Sequence, residues 1–314
     1  MLLAIGVLAG CEPDADDDPS TQDDESDDDS DDESGGDSES LVGSFQLQLA
    51  EPDTASLVGK IYDGPTPRTL IWEPSLEAGA CRLSTPRVPF CSVACGGSAA
   101  CVEDETCQAY PNALSVGEVL VSGVTTSEGE TSFTMTPIAD NYQVPAGTAL
   151  AYPPFTEGDT VALAAEGDEL AGFELAAAAI APLELATDQF ELDPAADLLL
   201  EWTAGGANSK ILVELDISHH AGTKGMIECE TDDVGSLAIP AAMVAALLDL
   251  GVAGYPTIIV TRESKGSAPT TAGRVELVIS SKVERAVVIA GLVSCTDDAD
   301  CPEAQTCQPN LMCQ

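Results

Sequence analysis

Cysteine is the residue type in this chain whose number and spacing point most directly to chemistry. The eleven cysteines are Cys11, Cys81, Cys91, Cys95, Cys101, Cys107, Cys229, Cys295, Cys301, Cys307 and Cys313. An odd number in an exported chain needs a separate role for one thiol, while the other ten can pair as disulfides. Because disulfides persist in oxidising compartments, the count predicts a chain that acts outside the cytoplasm.

Eight of these cysteines form two modules with a common spacing. Residues 95–107 and residues 295–307 each hold three cysteines separated by five residues, with Thr before and Gln after the last one. Cys91 precedes the first copy and Cys313 follows the second, so each module can close two bridges. Small segments of this kind have little core and depend on cross-links. The sequence leaves the connectivity inside each module open.

If the eight module cysteines pair within their own modules, Cys81 and Cys229 are left over, and we predict that they bond to each other. This bridge would close a loop of about 150 residues and clamp the first β region to the second. The alternative for the modules is zinc, whose structural sites prefer cysteines two to four residues apart. Only Cys91 and Cys95 approach that spacing. We therefore expect disulfides and no resident metal.

Histidine offers a second candidate for site chemistry. The chain has two histidines, the adjacent pair His219 and His220. Neighbouring side chains on a strand point to opposite faces, so both would bind one ion only in a turn, which residues 221–222 allow. A catalytic metal usually has three protein ligands, and the third would have to be an acid such as Asp216 or Glu214. A polar loop is the simpler interpretation, and we predict no cofactor.

Sequence motifs of catalysis give no stronger signal. The chain lacks the G-x-S-x-G, H-E-x-x-H and G-x-x-x-x-G-K-[ST] patterns. Paired carboxylates stay open as an alternative, because any two of the 54 acidic residues can meet in space. We expect a protein that is not an enzyme, and we keep as the alternative an envelope hydrolase that uses paired carboxylates or a histidine-based metal site.

The N-terminus contains an apolar run that ends at the odd cysteine. Residues 1–10 read MLLAIGVLAG, and residues 8–11 read Leu, Ala, Gly, Cys. This resembles the lipobox signal peptide of bacterial lipoproteins, which implies cleavage before Cys11, lipidation of Cys11 and anchoring of the chain to a membrane. Several acyl chains give a stable anchor. The resemblance implies a cell-envelope protein, in the outer membrane or at the cell surface. The alternative is a buried segment that ends in a cysteine by chance.

The next segment is predicted to be a disordered acidic tether. Residues 12–40 contain 16 acids, no base and no large apolar residue. Such a composition cannot offset the entropy of ordering, so residues 11–40 would hold the body away from the membrane. Weak calcium binding by the Asp runs is the alternative, although they lack the glycine-punctuated loop of an EF-hand. Acidic tethers after a lipidated cysteine resemble surface-export signals of some bacterial lipoproteins.

Charge excludes one class of partner. The formal net charge is −43. Residues 12–40 contribute −16, and the chain beyond residue 40 contributes −27 from 38 acids and 11 bases. Both parts repel phosphate backbones and anionic lipid head groups, so we expect no nucleic-acid partner. The membrane contact would then come through the lipid on Cys11.

Short alternating runs predict a mainly β body. The predicted strands are Phe45–Leu49, Glu118–Val124, Thr160–Ala164, Gly172–Leu175, Leu198–Trp202, Lys210–Ile217, Met226–Cys229, Thr257–Thr261, Arg274–Ile279 and Arg285–Ile289. One helix is expected over 241–250, with Pro240 as a favourable first residue and Gly251 as its cap. Regular spacing of the runs favours a β-sandwich.

Two resemblances concern the body. Residues 197–215, with a tryptophan-bearing strand followed by a long alternating strand, look like the early strands of fibronectin type III or immunoglobulin-like modules. The cysteine repeats resemble those of uncharacterised, cysteine-rich lipoproteins of myxobacterial type, a likeness that implies no known activity. The predicted segments are a signal peptide (1–10), the tether (11–40), a β-rich domain (41–185) with a cysteine module (91–107), a β-sandwich domain (186–293) and a C-terminal cysteine module (294–314).

Together these features predict a membrane-anchored lipoprotein that displays a non-enzymatic binding or adhesion module at the cell envelope. The anchor and the tether would present the body, and cross-links would protect it there. The ligand would be a protein or a polysaccharide.

Overall fold

Short runs with alternating apolar residues form most of the strands in this chain. The structure, a computed structural model, describes residues 40–314, so the predicted signal peptide, lipidation site and most of the tether lie outside the described residues. The strands are β1 Leu41–Ala50, β2 Thr54–Ile61, β3 Ile71–Ala78, β4 Cys81–Arg87, β5 Ala99–Glu103, β6 Thr106–Ala109, β7 Val119–Ser122, β8 Ser132–Met135, β9 Asn141–Gln143, β10 Thr160–Gly167, β11 Ala171–Ala178, β12 Phe190–Leu192, β13 Leu198–Glu201, β14 Lys210–Asp216, β15 Met226–Asp232, β16 Ser236–Ile239, β17 Thr257–Pro269 and β18 Arg274–Ile289. The helices are α1 Ala241–Asp249 and a single 3-10 turn at Asp298–Asp300.

The strands form two large sheets and two small ones. The ten-stranded sheet has the order β3-β4-β15-β14-β17-β18-β1-β2-β9, with β12 added on β18. The four-stranded sheet has the order β11-β10-β7-β8, and the pairs β13-β16 and β5-β6 stand apart. Within this part of the chain β1 and β12 run parallel to β18, and the other named pairs are antiparallel. The prediction of a mainly β, sandwich-like fold with one short helix is confirmed.

One hydrophobic core lies between the ten-stranded and four-stranded sheets. Alternate residues of β1, namely Phe45, Leu47 and Leu49, are fully buried, as the strict alternation of that strand requires. They belong to the same cluster as Val121 of β7 and Leu163 of β10. The two sheets therefore pack face to face through their inward side chains.

A second core lies beneath the other half of the ten-stranded sheet. It contains Trp202, which follows β13, together with alternate residues of β14 and β17. Helix α1 covers it with Met243, Val244 and Leu247, all fully buried. The two clusters fall largely on either side of the predicted division between residues 185 and 186, whereas the ten-stranded sheet takes strands from both sides of it.

Strand β18 corrects one expectation from the sequence. The two predicted strands Arg274–Ile279 and Arg285–Ile289 are halves of one strand of 16 residues. Residues 280–284 look like a turn because they are mostly polar, yet Ser281 is buried and its Oγ accepts a hydrogen bond from the Leu183 backbone N–H at 2.8 Å. Because this hydrogen bond gives the buried hydroxyl of Ser281 a partner, the strand can continue through this position.

The start of α1 also differs from the expectation. Pro240 has φ −61° and ψ 142°, so it is the extended N-cap residue and precedes the first helical residue, Ala241. The Ala241 backbone N–H finds its partner in Asp197, whose Oδ1 accepts it at 2.8 Å. Among the described helices none is long and apolar enough to cross a membrane.

The ten cysteines beyond Cys11 form five disulfides. The bonds are Cys81–Cys229, Cys91–Cys101, Cys95–Cys107, Cys295–Cys307 and Cys301–Cys313. The bond across each repeat is the same in both modules, while the middle cysteine pairs upstream in the first module and downstream in the second. Three sulfur atoms in each module lie within 4.8 Å of one another, as in a metal site, but they are held as disulfides here. Zinc binds the thiolate form.

Candidate functional site

A cleft of about 1300 Å³ opens between the two edges of the ten-stranded sheet. One side is formed by β1, β2 and the edge strand β9, and the other by residues 65–72, which lead into the opposite edge strand β3. The sheet therefore curls until both of its edge strands line the same space. Concave sites of this size are where proteins commonly bind small molecules or oligomers.

The floor of the cleft consists of five polar side chains and Val58 in two aligned rows. Because side chains alternate along a strand, the residues between the buried ones of β1, β2 and β9 point outward into the cleft. Strand pairing places Ser44, Lys60 and Asn141 in one row and Gln46, Val58 and Gln143 in the next. The floor thus presents a hydroxyl, an ammonium and three amides on a rigid sheet.

The layer beneath the floor fixes its shape. Gly59 lies opposite Phe45 on one side and opposite Tyr142 on the other, and the two rings are 5.5 Å apart. A Cβ at Gly59 would lie 2.2 Å from the Phe45 ring, so only glycine fits there. The Tyr142 hydroxyl accepts a hydrogen bond from the Val116 N–H at 2.8 Å and donates one to the Gly117 carbonyl at 3.1 Å. Burial raises the pKa of Tyr142, so the hydroxyl keeps its proton.

The walls of the cleft carry its aromatic and cationic groups. Residues 65–72 contribute Arg68 and Trp72, and Tyr62 lies where β2 ends. The first cysteine module extends this wall with Val102 and Glu103, and Gln108, which follows the module, donates a hydrogen bond from Nε2 to the Pro65 carbonyl at 2.6 Å. This contact and the two module disulfides hold the wall without a hydrophobic core.

Charge in the cleft has the opposite sign to the rest of the body. Residues beyond 40 have a net charge of −27. The cleft lining contains two bases, Lys60 and Arg68, and one acid, Glu103. A locally cationic concavity in an acidic protein attracts acidic groups to that place.

Lys60 and Arg68 are also among the few bases that lack an ion pair. Seven of the 11 bases lie within 4.0 Å of a carboxylate oxygen: Arg82, Arg87, Lys210, Arg262, Lys265, Arg274 and Arg285. Within residues 40–314 no carboxylate lies that close to Lys60, Arg68, Lys224 or Lys282. Lys60 Nζ lies instead 5.5 Å from the centre of the Tyr62 ring, which orients it by a cation–π contact.

The two histidines do not gain a third ligand. Their ring centroids are 3.9 Å apart, and His219 Nδ1 is 4.0 Å from Asp216 Oδ2. Asp216 is engaged locally, because its Oδ1 accepts hydrogen bonds from the backbone N–H and the hydroxyl of Ser218. In the part of the chain that the structure describes, close sets of three ligand atoms come from cysteines alone, so neither Asp216 nor Glu214 completes a site.

A smaller cavity of about 370 Å³ is lined by four carboxylates, those of Glu77, Glu214, Glu228 and Glu230. Glu214 of β14 and Glu228 of β15 stand directly opposite each other and both line it. In a glycosidase both carboxyl groups must face the bond that breaks. Here Arg82 donates a hydrogen bond to Glu228 at 3.3 Å, so one of the two is already held in an ion pair. The larger cleft is lined by a single carboxylate, Glu103.

The residues singled out from the sequence lie apart from the cleft, with one exception. The first cysteine module forms a wall of it, whereas Cys11 lies outside the described residues and the histidines lie elsewhere. Sequence reasoning missed Lys60, Tyr62, Arg68 and Trp72. The available signal was the polar, proline-rich stretch 63–70, which contains an arginine and runs directly into a tryptophan.

Comparison with known proteins gives no relative from which a role can be transferred. No protein-family model matches the chain, and no curated protein matches it. The case for function therefore rests on the cleft between the sheet edges.

Proposed function

We propose that this chain is an envelope-anchored lipoprotein whose body is a non-enzymatic binding module, with the cleft as its ligand site and a polysaccharide as its ligand. The observation that carries the proposal is the composition of the cleft. Aromatic rings belong to the walls, beside a floor of amide, hydroxyl and ammonium groups and Val58.

A sugar ring matches such a cleft in two ways. Its C–H faces are apolar and pack on rings such as Trp72 and Tyr62, while its hydroxyls exchange hydrogen bonds with amides such as those of Gln143 and Gln46. The floor belongs to a buried, cross-linked sheet, so little ordering is needed when a ligand binds. A protein partner is less well matched, because protein interfaces are usually flatter and larger in area.

The anchor and the tether complete the proposal, and they rest on the sequence. The lipobox-like residues 8–11 would place a lipid on Cys11, and the acidic residues 12–40 would space the cleft from the membrane. Five disulfides suit a body exposed to an oxidising, unprotected environment.

Replacing Trp72 with Ala should weaken polysaccharide binding by about tenfold or more, because a stacking ring is worth one to a few kcal/mol. The measurement is a screen of the purified, disulfide-bonded chain against immobilised polysaccharides, followed by titration calorimetry with the best oligosaccharide. Phe90→Ala is the matched control, since Phe90 is 69% exposed and lies outside the cleft lining. Equal affinity in the Trp72→Ala variant, or no saccharide binding by the native chain, would contradict the proposal.

The anchor is tested by a separate variant. Cys11→Ser should move the protein from the membrane to the soluble fraction and abolish incorporation of labelled fatty acid, because the hydroxyl cannot form the thioether. Ala15→Ser is the control and should leave both unchanged. Membrane retention of the Cys11→Ser protein would show that the lipid anchor is absent.

A further inference from the structure

We infer that the sugar bound in this cleft carries a carboxylate, and that Lys60 and Arg68 recognise it. The inference rests on the proposed function and names the class of its ligand. It is carried by the two cleft bases that have no acidic partner in residues 40–314, in a chain where acids greatly outnumber bases.

The scarcity of bases makes this placement informative. With 38 acids for 11 bases beyond residue 40, a base finds a carboxylate easily, and seven of the 11 do. Two of the four that find none within residues 40–314 are in the same cleft. An uncompensated pair of cations destabilises an empty site slightly and is relieved when an anion binds, so it favours an acidic ligand over a neutral one of equal size.

The positions of the two bases suit an acid group on a bound sugar. Lys60 stands in the floor between Ser44 and Asn141, so a carboxylate there would meet an ammonium with a hydroxyl and an amide beside it. Arg68 belongs to the wall formed by residues 65–72, which also contains Trp72, and its planar guanidinium can take a carboxylate with two parallel hydrogen bonds.

The charge of the body limits what kind of anion can enter. Charges further away than about 8–10 Å are largely screened at physiological salt, so the two bases and the one acid of the lining act on a bound ligand more strongly than distant acids do. A long polyanion would still run over the surrounding acidic surface. A short acidic oligosaccharide, or a neutral polymer with occasional uronate units, avoids that repulsion.

The test compares two ligands of equal size, trigalacturonate and its fully methyl-esterified form, by calorimetry at physiological salt with the full chain. We expect the acid to bind about tenfold more tightly than the ester. Lys60→Gln and Arg68→Gln should each remove much of this preference. Lys224→Gln should preserve it, because Lys224 lies outside the cleft lining and is likewise without an ion pair within residues 40–314. Unchanged thermal melts will show that the variants fold.

The outcomes separate this inference from the proposed function. If the acid and the ester bind equally and Trp72→Ala weakens both, the cleft is a saccharide site but the inference is wrong. If neither ligand binds, and no immobilised polysaccharide binds in the screen, the proposed function fails. The chain's own acidic residues 12–40 are a second source of carboxylate. A variant with those 16 acids changed to Asn or Gln tests whether they occupy the cleft. A preference of the native chain for trigalacturonate over its ester supports the inference. A preference that is seen only in the variant refutes it.

Discussion

Replacing Arg262 with Met should lower the free energy of unfolding by about 3–5 kcal/mol, because it leaves the Asp233 carboxylate buried without its counter-charge. Both side chains are 1% exposed, and Arg262 Nε donates a hydrogen bond to Asp233 Oδ2 at 2.6 Å. The guanidinium also donates to the carbonyls of Ala181, Pro182 and Thr203. These four contacts join β17 to three separate chain segments, so all of them lose a partner together. Urea denaturation measures the change.

Two further variants identify the cause. Lys265→Met removes the ion pair between Lys265 and Glu263 on the same strand, where the lysine side chain is 47% exposed. We expect the free energy of unfolding to change by less than about 1 kcal/mol. The double variant Arg262→Met with Asp233→Leu should recover part of the loss, since a buried ion pair replaced by apolar groups is often tolerated. A loss in Arg262→Met no larger than in Lys265→Met would show that the pair is not required.

The same ion pair gives a dependence of stability on pH. Burial by itself would raise the pKa of Asp233, but hydrogen bonds from Arg262, Ser209, the Gly205 backbone and Trp202 outweigh it and hold the pKa below its ordinary value. A carboxyl with a lowered pKa in the folded state stabilises above the unfolded value of about 4, and this stabilisation is lost as pH falls through the folded pKa. The native chain should therefore lose stability in acid.

Removing the bridge between Cys81 and Cys229 should also lower the free energy of unfolding by a large amount. Its sequence separation is 148, and changing both cysteines to Ala should lower the free energy of unfolding by about 5 kcal/mol in the chain-entropy model. The bond joins residues that face each other directly on β4 and β15, so it cross-links two neighbouring strands near one edge of the ten-stranded sheet. Calorimetric or urea unfolding of the double variant provides the measurement.

A short-range bridge is the matched control. Cys91 and Cys101 have a sequence separation of 10, and their replacement by Ala should lower the free energy of unfolding by about 3 kcal/mol by the same reasoning. Equal losses for the two bridges would contradict the loop-length explanation. The short bridge should also affect ligand binding, because its module forms a wall of the cleft.

The sequence by itself determined the features that depend on local pattern and on counting. Alternation predicted most strands of the two cores, and the alanine-rich run after Pro240 predicted the helix, because side-chain periodicity follows directly from backbone geometry. Parity and spacing of the cysteines separated Cys81 and Cys229 from the two modules, and the structure bonds them. The prediction of a lipidated Cys11 stays a prediction, since it lies outside the described residues.

Only the tertiary structure decided which distant residues meet. Edge strand β9 has only three residues, and the pairing of β3 shifts register between Pro74 and Leu76, so neither strand carries a clear periodic signal and the sequence analysis did not predict them. Their approach depends on the curl of a ten-stranded sheet, which sums small twists over many strand pairs and has no signature in any single run. The cleft, with Lys60 and Arg68 both in its lining, exists for that reason. In the same way, nothing local distinguishes Arg262, which is buried against Asp233, from the exposed Lys265 three residues later.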